Sequence, residues 1–428
     1  MTRLRRLAVA SVASWLVLAA VVLTRFAEQT LPATFLARPL MFVIPIAVAI
    51  GLVALPARRY SVAVATLGAY LVAVTQPLIV LTVSIVLAIG LVLGRRGRLP
   101  GAIPAAALVG ATVLFTIGLG RAILVMDLPT VTGYEEADEG PPMYVVLLDG
   151  YPRIDTLANM GIDNSTFVAA LEDRGFDHYP EAMSVHTRTH KTLLAMLTDE
   201  VVNDDPAGTA EERRSIRRRL IVPPGFVAVD PPYGFVVLGP GPHIDPGGAT
   251  IFEGELLGLS AVGVAAPDLA WALVRQGLDA RIENALDMMA SGTYQRLFVH
   301  LMSPHPPFLY DLTGQTAGPR HCWPQCWLTP TVEHMGISRE AWASGMAANL
   351  SVLNGRLLET IDEVLEAQPD AVIVLFADHG GRVSEADLDE WHHPFMASRT
   401  PGHPQLFAEA PRPDTIIRTL LATYGSSR

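Results

Sequence analysis

Acidic residues and a histidine follow two apolar segments that lie far apart in the sequence. Asp149 comes directly after the apolar run at residues 143–148, and Asp378 and His379 follow the apolar run at residues 371–377. An Asp-Gly pair after a strand is more often a turn than a ligand when taken alone. Together, however, these carboxylates and the imidazole match the ligands of Zn²⁺ or Mn²⁺ better than those of Mg²⁺ or Ca²⁺. We therefore predict one bound divalent metal.

A hydroxyl-rich, basic segment leads into an apolar helical pattern at residues 183–197, MSVHTRTHKTLLAML. It contains Thr187, Thr189 and Thr192, together with Lys191, the only lysine in the chain. The beginning of a helix presents free N–H groups and a partial positive charge, which favour a bound phosphate group. A metal can lower the pKa of a threonine hydroxyl and make it a nucleophile. The alternative is that the threonines only cap the helix.

Histidines are concentrated near the ends of the later apolar segments. They are His300 and His305 in HLMSPHPPFLY, His392 and His393 in EWHHPF, and His403. Such histidines can stabilise charge on phosphoryl oxygens or protonate a leaving group. His300 lies inside an apparent strand, and we interpret it as a buried structural residue.

Bringing these residues together requires a scaffold in which several strands end at one edge. The runs at 143–148, 296–303 and 371–377 are continuously apolar, as strands buried on both faces of a parallel sheet are. A helical pattern at 343–367 lies between the last two. This alternation predicts an α/β domain with helices on both faces of the sheet and ligands at the carboxyl ends of the strands. We find no nucleic-acid-binding motif and expect no such partner.

The first 126 residues differ from the rest in charge and hydropathy. They contain eleven arginines and one acid, Glu28, so they carry +10 of a chain total of −11, and the remainder carries −21. Five apolar runs of near membrane-spanning length predict about five transmembrane helices. These runs occupy residues 7–24, 39–55, 60–75, 77–94 and 103–125.

Arginine clusters before the first run, after the second and after the fourth all fall on one side of the membrane. With five spans that side is the cytoplasm, which makes the chain a multi-pass cell-membrane protein with its catalytic domain extracytoplasmic. Four spans would place the same domain inside. The first run can also be interpreted as a cleaved signal peptide, although the other spans would still hold the chain in the membrane.

Residues 127–142, with the acidic sequence YEEADEG, are interpreted as a linker, and residues 143–428 as the catalytic domain. The only two cysteines, Cys322 and Cys326, lie in HCWPQCW. An oxidising exterior would let them form a small disulfide loop. A zinc knuckle with His321 is the competing interpretation.

The motifs TRTHKTLLAM, HLMSPHPPFLY and DHG resemble those of the alkaline phosphatase superfamily. The resemblance is to its membrane-bound sulfatase-like branch, which includes phosphoethanolamine transferases and lipoteichoic acid synthase-type phosphoglycerol transferases. It implies five transmembrane helices followed by an α/β/α sandwich, and a threonine nucleophile on one metal. Two departures are Thr192, where the transferases have Ser, and Asp149, where they commonly have Glu.

Carried onto this sequence, the resemblance assigns catalysis to Thr189, His305 and His393. It also makes Thr189 a metal ligand beside Asp149, Asp378 and His379. Lys191 and His392 are the predicted substrate-binding residues, and which of His392 and His393 contacts the substrate stays open.

The predicted function is phosphoryl-group transfer from a membrane lipid or lipid-linked envelope substrate through a phospho-threonine intermediate. If water replaces the acceptor hydroxyl, the enzyme is a phosphodiesterase. Sulfate-ester hydrolysis is disfavoured because the Cys or Ser motif of true sulfatases is missing at the nucleophile position. The alternative of another class is a non-catalytic envelope scaffold.

Overall fold

The structure is a computed structural model of the 428-residue chain. It describes residues 3–29, 37–56, 102–125, 140–203, 266–311 and 331–425, and short pieces at 66, 69, 212, 215–216, 219–220, 222, 225–229, 243–244, 247–248, 254 and 257–258. The chain divides into two compact units, of which the first comprises Met1–Leu128 and Glu253–Ala270. The second unit comprises Pro129–Phe252 and Trp271–Arg428.

The described part of the N-terminal unit contains the three helices α1 (Arg3–Gln29), α2 (Ala37–Ala54) and α3 (Ala102–Val125). They coincide with the first, second and fifth predicted spans. Among the described residues, one helical stretch, Arg3–Thr24, is long and apolar enough to cross a membrane, and Val43–Ala54 and Ala107–Gly120 are shorter apolar stretches. The third and fourth predicted spans lie almost entirely outside the described residues, so the five-span arrangement stays a prediction.

Small residues bring the three helices together. α1 contacts both α2 and α3. A Cβ added at Gly118 of α3 would lie 2.9 Å from the Ala20 carbonyl oxygen of α1, so the two backbones approach too closely for a side chain there. The Trp15 indole N–H donates to the Leu40 carbonyl at 3.2 Å, and its ring lies 5.6 Å from that of Phe115. Close packing through small residues is typical of helices that associate within a membrane.

The second unit is built from alternating strands and helices. Its strands are β1 (Met143–Leu148), β2 (Asp177–His178), β3 (Val227–Val229), β4 (His243–Ile244), β5 (Arg296–Leu301), β6 (Val372–Phe376) and β7 (Met396–Arg399). The helices are α4 (Ile154–Asn159), α5 (Ser165–Glu172), α6 (Thr189–Thr198), α7 (Pro267–Ala290), α8 (Val332–Met335), α9 (Arg339–Ala367) and α10 (Ile416–Tyr424). Short 3₁₀ turns occupy Glu390–His392 and Pro413–Thr415.

The strands form one mixed sheet in the order β2-β7-β6-β1-β5-β3-β4. β1 pairs in parallel with β6 on one side and with β5 on the other, and β3 and β4 continue the parallel run. β7 is antiparallel to β6, and β2 is antiparallel to β7. Every residue of β1, β5 and β6 is buried, which explains why these segments are apolar without alternation. The predicted α/β fold with a mostly parallel sheet is confirmed.

Helices pack against the sheet on both faces. One hydrophobic cluster joins alternate residues of β1, including Val145, to Leu194 of α6 and Ile417 of α10. From the opposite face of β1, the Tyr144 hydroxyl donates to the Gln368 side chain at the end of α9 at 2.6 Å. α9 covers the predicted pattern at 343–367 and begins four residues earlier, where the Ser338 hydroxyl caps it by accepting from the Ala341 N–H.

Candidate metal centre

Asp149, Asp378 and His379 meet at the carboxyl edge of the sheet. Asp149 follows β1, and Asp378 and His379 follow β6, its parallel neighbour. One ligand atom from each side chain lies within 4.8 Å of the other two, and all three residues are buried. Burial of two carboxylates beside each other is costly unless a cation compensates their charge. The three side chains form a group that can bind a metal.

A glycine turn allows this approach. Gly150 has a φ of +66°, a conformation that side-chain-bearing residues rarely adopt. A Cβ there would lie 3.4 Å from both the His305 and the His379 rings. The Gly150 N–H donates to Asp378 Oδ1 at 3.1 Å, so the backbone after β1 holds the carboxylate that follows β6.

The donor atoms are arranged as metal ligands rather than as a closed hydrogen-bond network. The His379 Nδ1–H donates to the Gly380 carbonyl at 2.8 Å, so Nε2 carries the lone pair of the ring, and Arg382 Nη2 contacts this atom. That Nε2 lies 3.2 Å from Asp378 Oδ2 and 3.8 Å from Asp149 Oδ1. Among the described residues neither of these two buried carboxylate oxygens has a hydrogen-bond partner. Two carboxylate oxygens and one imidazole nitrogen suit Zn²⁺ or Mn²⁺.

Electrostatics favour a cation at this point. Burial, and then the charge of the neighbouring Asp378, raise the pKa of Asp149 to about 7. A positive ion beside the two carboxylates would reverse this shift, because an opposite charge favours the ionised form.

His300 orients Asp149. Its Nε2 lies 3.0 Å from Asp149 Oδ2, and both side chains are almost fully buried. The imidazole N–H therefore holds one carboxylate oxygen while the other is directed to the ligand group, as residues that support metal ligands commonly do. His300 is buried, as the sequence indicated, but it also contacts the site. This contact could not be predicted from the sequence, because it depends on the register that pairs His300 with Leu147 of β1.

His305 lies beside the metal-ligand group, with its ring centroid 6.4 Å from that of His379. Its Nδ1–H donates to the Pro306 carbonyl at 2.6 Å. Burial lowers the pKa of His305 to about 4, so the ring is neutral at pH 7 and its Nε2 is unprotonated. In this state His305 can accept a proton at Nε2. It has no proton on Nε2 that it could donate to a leaving group.

Thr189 is the first residue of α6 and is buried. Three residues later on the same helix, the Thr192 hydroxyl donates to the backbone carbonyl of Asp378 at 3.0 Å, and Ser184 donates to that carbonyl at 2.7 Å. These bonds fix the first turn of α6 against the turn that carries Asp378 and His379. The residue that caps α6 is Arg188, whose side chain makes no capping hydrogen bond. None of the three threonines is therefore the N-cap residue of α6.

Lys191 and the two adjacent histidines have partners of their own. The Lys191 ammonium donates to the Asn203 carbonyl at 2.5 Å and lies 3.4 Å from Glu212, which does not support its predicted contact with substrate. The His392 Nδ1–H donates to the Ser184 carbonyl at 2.8 Å, so this ring belongs to the segment that leads to α6. His393 is partly exposed, and its Nε2 lies 3.8 Å from Asp389.

Arg382 is a site residue that the sequence analysis did not single out. It follows the DHGG sequence, is 6% exposed, and contacts His379 Nε2 through its Nη2. In the sequence, the only indication that Arg382 belongs to the site is its position four residues after Asp378. Cys322 and Cys326, whose pairing was predicted, lie outside the described residues.

No protein-family model matches the chain, and no curated protein matches it. Among solved structures, the integral membrane protein lipooligosaccharide phosphoethanolamine transferase A (EptA) from Neisseria meningitidis is 15% identical, covering 94% of this chain and 89% of that chain at a TM-score of 0.37. The C-terminal periplasmic domain of EptC from Escherichia coli, also solved in complex with Zn, is 13% identical over 70% of this chain and 86% of that chain, with a TM-score of 0.38.

A 2-O glycosaminoglycan (GAG) sulfatase, BT1596, is 11% identical over 66% of this chain and 70% of that chain, with a TM-score of 0.36. Phosphoethanolamine transferases and sulfatases both belong to the superfamily that the motifs resemble. At these identities and TM-scores the alignments assign neither substrate nor reaction to this chain.

Proposed function

We propose that the chain is a metal-dependent enzyme that transfers a phosphate-containing group, with Thr189 as its nucleophile. The observation that carries this proposal is the buried group of Asp149, Asp378 and His379, in which two of the four carboxylate oxygens have no hydrogen bond among the described residues. Thr189 lies one helical turn before Thr192, whose hydroxyl donates to the Asp378 carbonyl. Thr189 would be a fourth ligand of the metal and the only ligand that could act as a nucleophile. A bound divalent cation lowers the pKa of such a hydroxyl.

The transfer takes place in two steps. Thr189 Oγ forms a bond to the phosphorus of a phosphodiester while the bond from phosphorus to the leaving alcohol breaks. An acceptor hydroxyl then attacks the phosphorus, and Thr189 Oγ departs. The beginning of α6 contributes the partial positive charge of a helix N-terminus to the phosphoryl oxygens in both steps.

Protons are moved by histidines at the edge of the site. His305, with Nδ1–H bound to the Pro306 carbonyl and Nε2 unprotonated, takes the proton of the attacking hydroxyl and returns it to the departing oxygen. His393 is partly exposed and assists the departing group from the solvent side, while His392 contacts the substrate headgroup. Lys191 is left out because its ammonium is already held by Asn203 and Glu212.

The substrate follows from the proposed location. If the five apolar runs span the membrane, the arginine clusters place the second unit on the extracytoplasmic side, next to lipid headgroups. A membrane lipid or a lipid-linked envelope molecule is then the donor. An acceptor hydroxyl on a sugar or polymer makes the enzyme a transferase, whereas water makes it a phosphodiesterase.

The proposal is tested by mass spectrometry of the full-length protein after incubation with native membranes. The wild-type protein and a Thr187→Ala control are expected to carry a phosphate-containing adduct on the peptide with Thr189, and the adduct mass identifies the headgroup. Thr189→Ala should carry none and should lose turnover by at least about a thousandfold, as removal of a covalent nucleophile does. An adduct or full turnover in Thr189→Ala, at an unchanged melting temperature, would rule out the assignment.

A further inference from the structure

An apolar groove lies between α1 and α2 of the N-terminal unit, on the half of α1 that begins the chain. The two helices are in contact along it, because a Cβ at Gly51 of α2 would overlap the Ser11 side chain of α1. The groove has a volume of about 420 Å³, within the range of roughly 300–1,000 Å³ that is typical of ligand pockets. Apart from Ser11 its lining residues are apolar, and they include Leu4, Leu7, Val12 and Trp15 of α1 and Ile44 and Val48 of α2.

The length of the groove matches that of a lipid acyl chain. From Leu4 to Trp15, α1 rises about 17 Å. The hydrocarbon of one membrane leaflet is about 15 Å deep, which is half of a bilayer core. The lining residues Leu4, Val12, Ile44 and Val48 are 41–75% exposed, so the groove is open along its length. A single acyl chain of the surrounding leaflet fits such a groove.

Arginines lie at the end of the groove where α1 begins. Arg3 precedes Leu7 by one helical turn and Ser11 by two turns, so it shares the face of α1 that lines the groove, and it is exposed. The only acid in the first 126 residues, Glu28, lies roughly 38 Å away along α1, well beyond the distance over which charges interact at physiological salt. No acid in this part of the chain therefore neutralises Arg3.

This positive charge distinguishes between possible occupants of the groove. The apolar runs at 60–75 and 77–94 contain no acid, and a second copy of the N-terminal unit would add further arginines. A zwitterionic lipid has an acyl chain but no net charge. An anionic phospholipid supplies both an acyl chain for the groove and a negatively charged phosphate for the guanidinium, and arginines at a membrane surface attract such lipids.

We propose that the groove binds one acyl chain of an anionic phospholipid and that Arg3 binds the phosphate of the same lipid. The inference takes α1 as a membrane-spanning helix, for which it is long and apolar enough. The groove lies in the N-terminal unit and the metal centre in the second unit. The proposal therefore adds a lipid site to the chain and does not depend on the reaction at Thr189.

The test uses the fluorescence of Trp15, whose ring lines the groove. The full-length protein in phosphatidylcholine vesicles is titrated with phosphatidylserine or phosphatidylcholine that carries bromine on its acyl chains, because bromine quenches tryptophan on contact. The signal of Trp15 is the part of the quenching that is lost in Trp15→Phe. We expect brominated phosphatidylserine to reach half-maximal quenching at an about fivefold lower mole fraction than brominated phosphatidylcholine, because Arg3 favours the anionic lipid.

Variants separate the charge from the groove. Arg3→Gln should lose most of the preference for phosphatidylserine, whereas Arg3→Lys, which keeps the charge, should retain it. Ala8→Phe places a ring in the groove from an exposed lining residue and should remove most of the quenching of Trp15 by both lipids. The matched control is Val109→Phe, since Val109 is 61% exposed on α3 and does not line the groove, and it should behave as the wild type does.

Four results would overturn the proposal. Equal quenching of the wild type by the two brominated lipids would show that the groove does not select by charge. No quenching of Trp15 by either lipid would show that another part of the chain or a second copy covers the groove. Wild-type quenching in Ala8→Phe would show that the lipid lies elsewhere. Release of brominated phosphatidylserine by inorganic phosphate at fixed ionic strength would show an anion site that does not recognise the acyl chain.

Discussion

Two groups of buried polar side chains begin at the turn that follows β1. In one group the side chains hydrogen-bond to one another in a closed ring, whereas in the other group two carboxylate oxygens have no hydrogen bond among the described residues. Tyr151, Asn164 and Asn354 form a ring in which Asn164 donates to the Tyr151 hydroxyl at 2.8 Å, Tyr151 to Asn354 at 2.9 Å, and Asn354 back to Asn164 at 2.9 Å. Two residues before Tyr151, Asp149 keeps an oxygen without a hydrogen bond among the described residues.

This difference separates a structural group from a functional one. A buried polar ring whose members satisfy one another stabilises a unique arrangement of the segments that it joins. A buried carboxylate oxygen with no donor costs free energy, which a bound cation recovers. We call Asp149, Asp378 and His379 the open group, and Tyr151, Asn164 and Asn354 the closed ring. Changes in the open group are expected to alter metal binding, whereas changes in the closed ring are expected to alter the free energy of unfolding.

The largest expected effect in this comparison is that of pH on the open group. The pKa of Asp149 is raised from its ordinary value to about 7, mainly by burial, so a proton competes with the metal below pH 7. The apparent affinity for Mn²⁺ should fall by up to about tenfold per pH unit from pH 7 to pH 5. Isothermal titration calorimetry at fixed ionic strength measures it.

The same shift has an opposite effect on the metal-free protein. Because the folded-state pKa of Asp149 exceeds the unfolded value, its protonation contributes stability that is lost as the pH rises from about 4 to about 7. His305, whose pKa of about 4 lies below its ordinary value, opposes part of this effect, because its contribution to stability is lost as the pH falls. Compared with Asp149→Asn, the metal-free wild type should therefore lose more stability from pH 5.5 to pH 7.5, and the metal should reduce this loss. A Mn²⁺ affinity that stayed constant from pH 5 to pH 7 would contradict the proposed ligand role of Asp149.

A smaller effect is expected from the residue that orients Asp149. His300→Leu removes the N–H that binds Asp149 Oδ2, and metal affinity should fall about tenfold to a hundredfold. His300→Gln, whose amide can reach the same oxygen, should recover most of this loss. His403→Leu is the control, because His403 is exposed and packs on Tyr424. Equal metal affinity in the Leu and Gln variants would show that His300 is only a core residue.

The smallest effect on metal affinity is expected from substitutions in the closed ring. Asn354→Leu leaves the Tyr151 hydroxyl without its acceptor and Asn164 Oδ1 without its donor, and should lower the free energy of unfolding by about 1–3 kcal/mol. Thermal unfolding of the full-length protein would show this as a lower melting temperature, while Mn²⁺ affinity stays that of the wild type. Weaker Mn²⁺ binding with an unchanged melting temperature would show that the closed ring also supports metal binding, and would contradict the proposed difference between the two groups.

The sequence predicted the parts of the site that follow from local patterns. Continuously apolar runs that end in polar residues marked β1 and β6, and the parallel arrangement then brought Asp149, Asp378 and His379 to one edge. Residues 343–367 of the helix Arg339–Ala367 were predicted from their periodicity, because an amphipathic pattern can be read without knowledge of the segments that pack against it.

The sequence could not predict contacts that depend on strand order or on where a long side chain is directed. The contact of His300 with Asp149 requires β5 to be the neighbour of β1, and no pattern in either strand fixes this order. The positive charge of Lys191 suggested phosphate binding, yet its ammonium reaches Asn203. Arg382 showed the reverse, since a basic residue in a loop is normally exposed and this one is buried beside His379.

The most direct test of the open group is the metal content of the purified full-length protein, measured by elemental mass spectrometry after exposure to Zn²⁺ or Mn²⁺ and removal of excess ion. The proposed metal centre predicts about one tightly bound ion per chain in the wild type, and almost none in Asp378→Asn, which removes a ligand charge while keeping the side-chain shape. The Asn354→Leu control should keep its ion. A wild type without metal, or an Asp378→Asn variant that binds as much as the wild type, would contradict it.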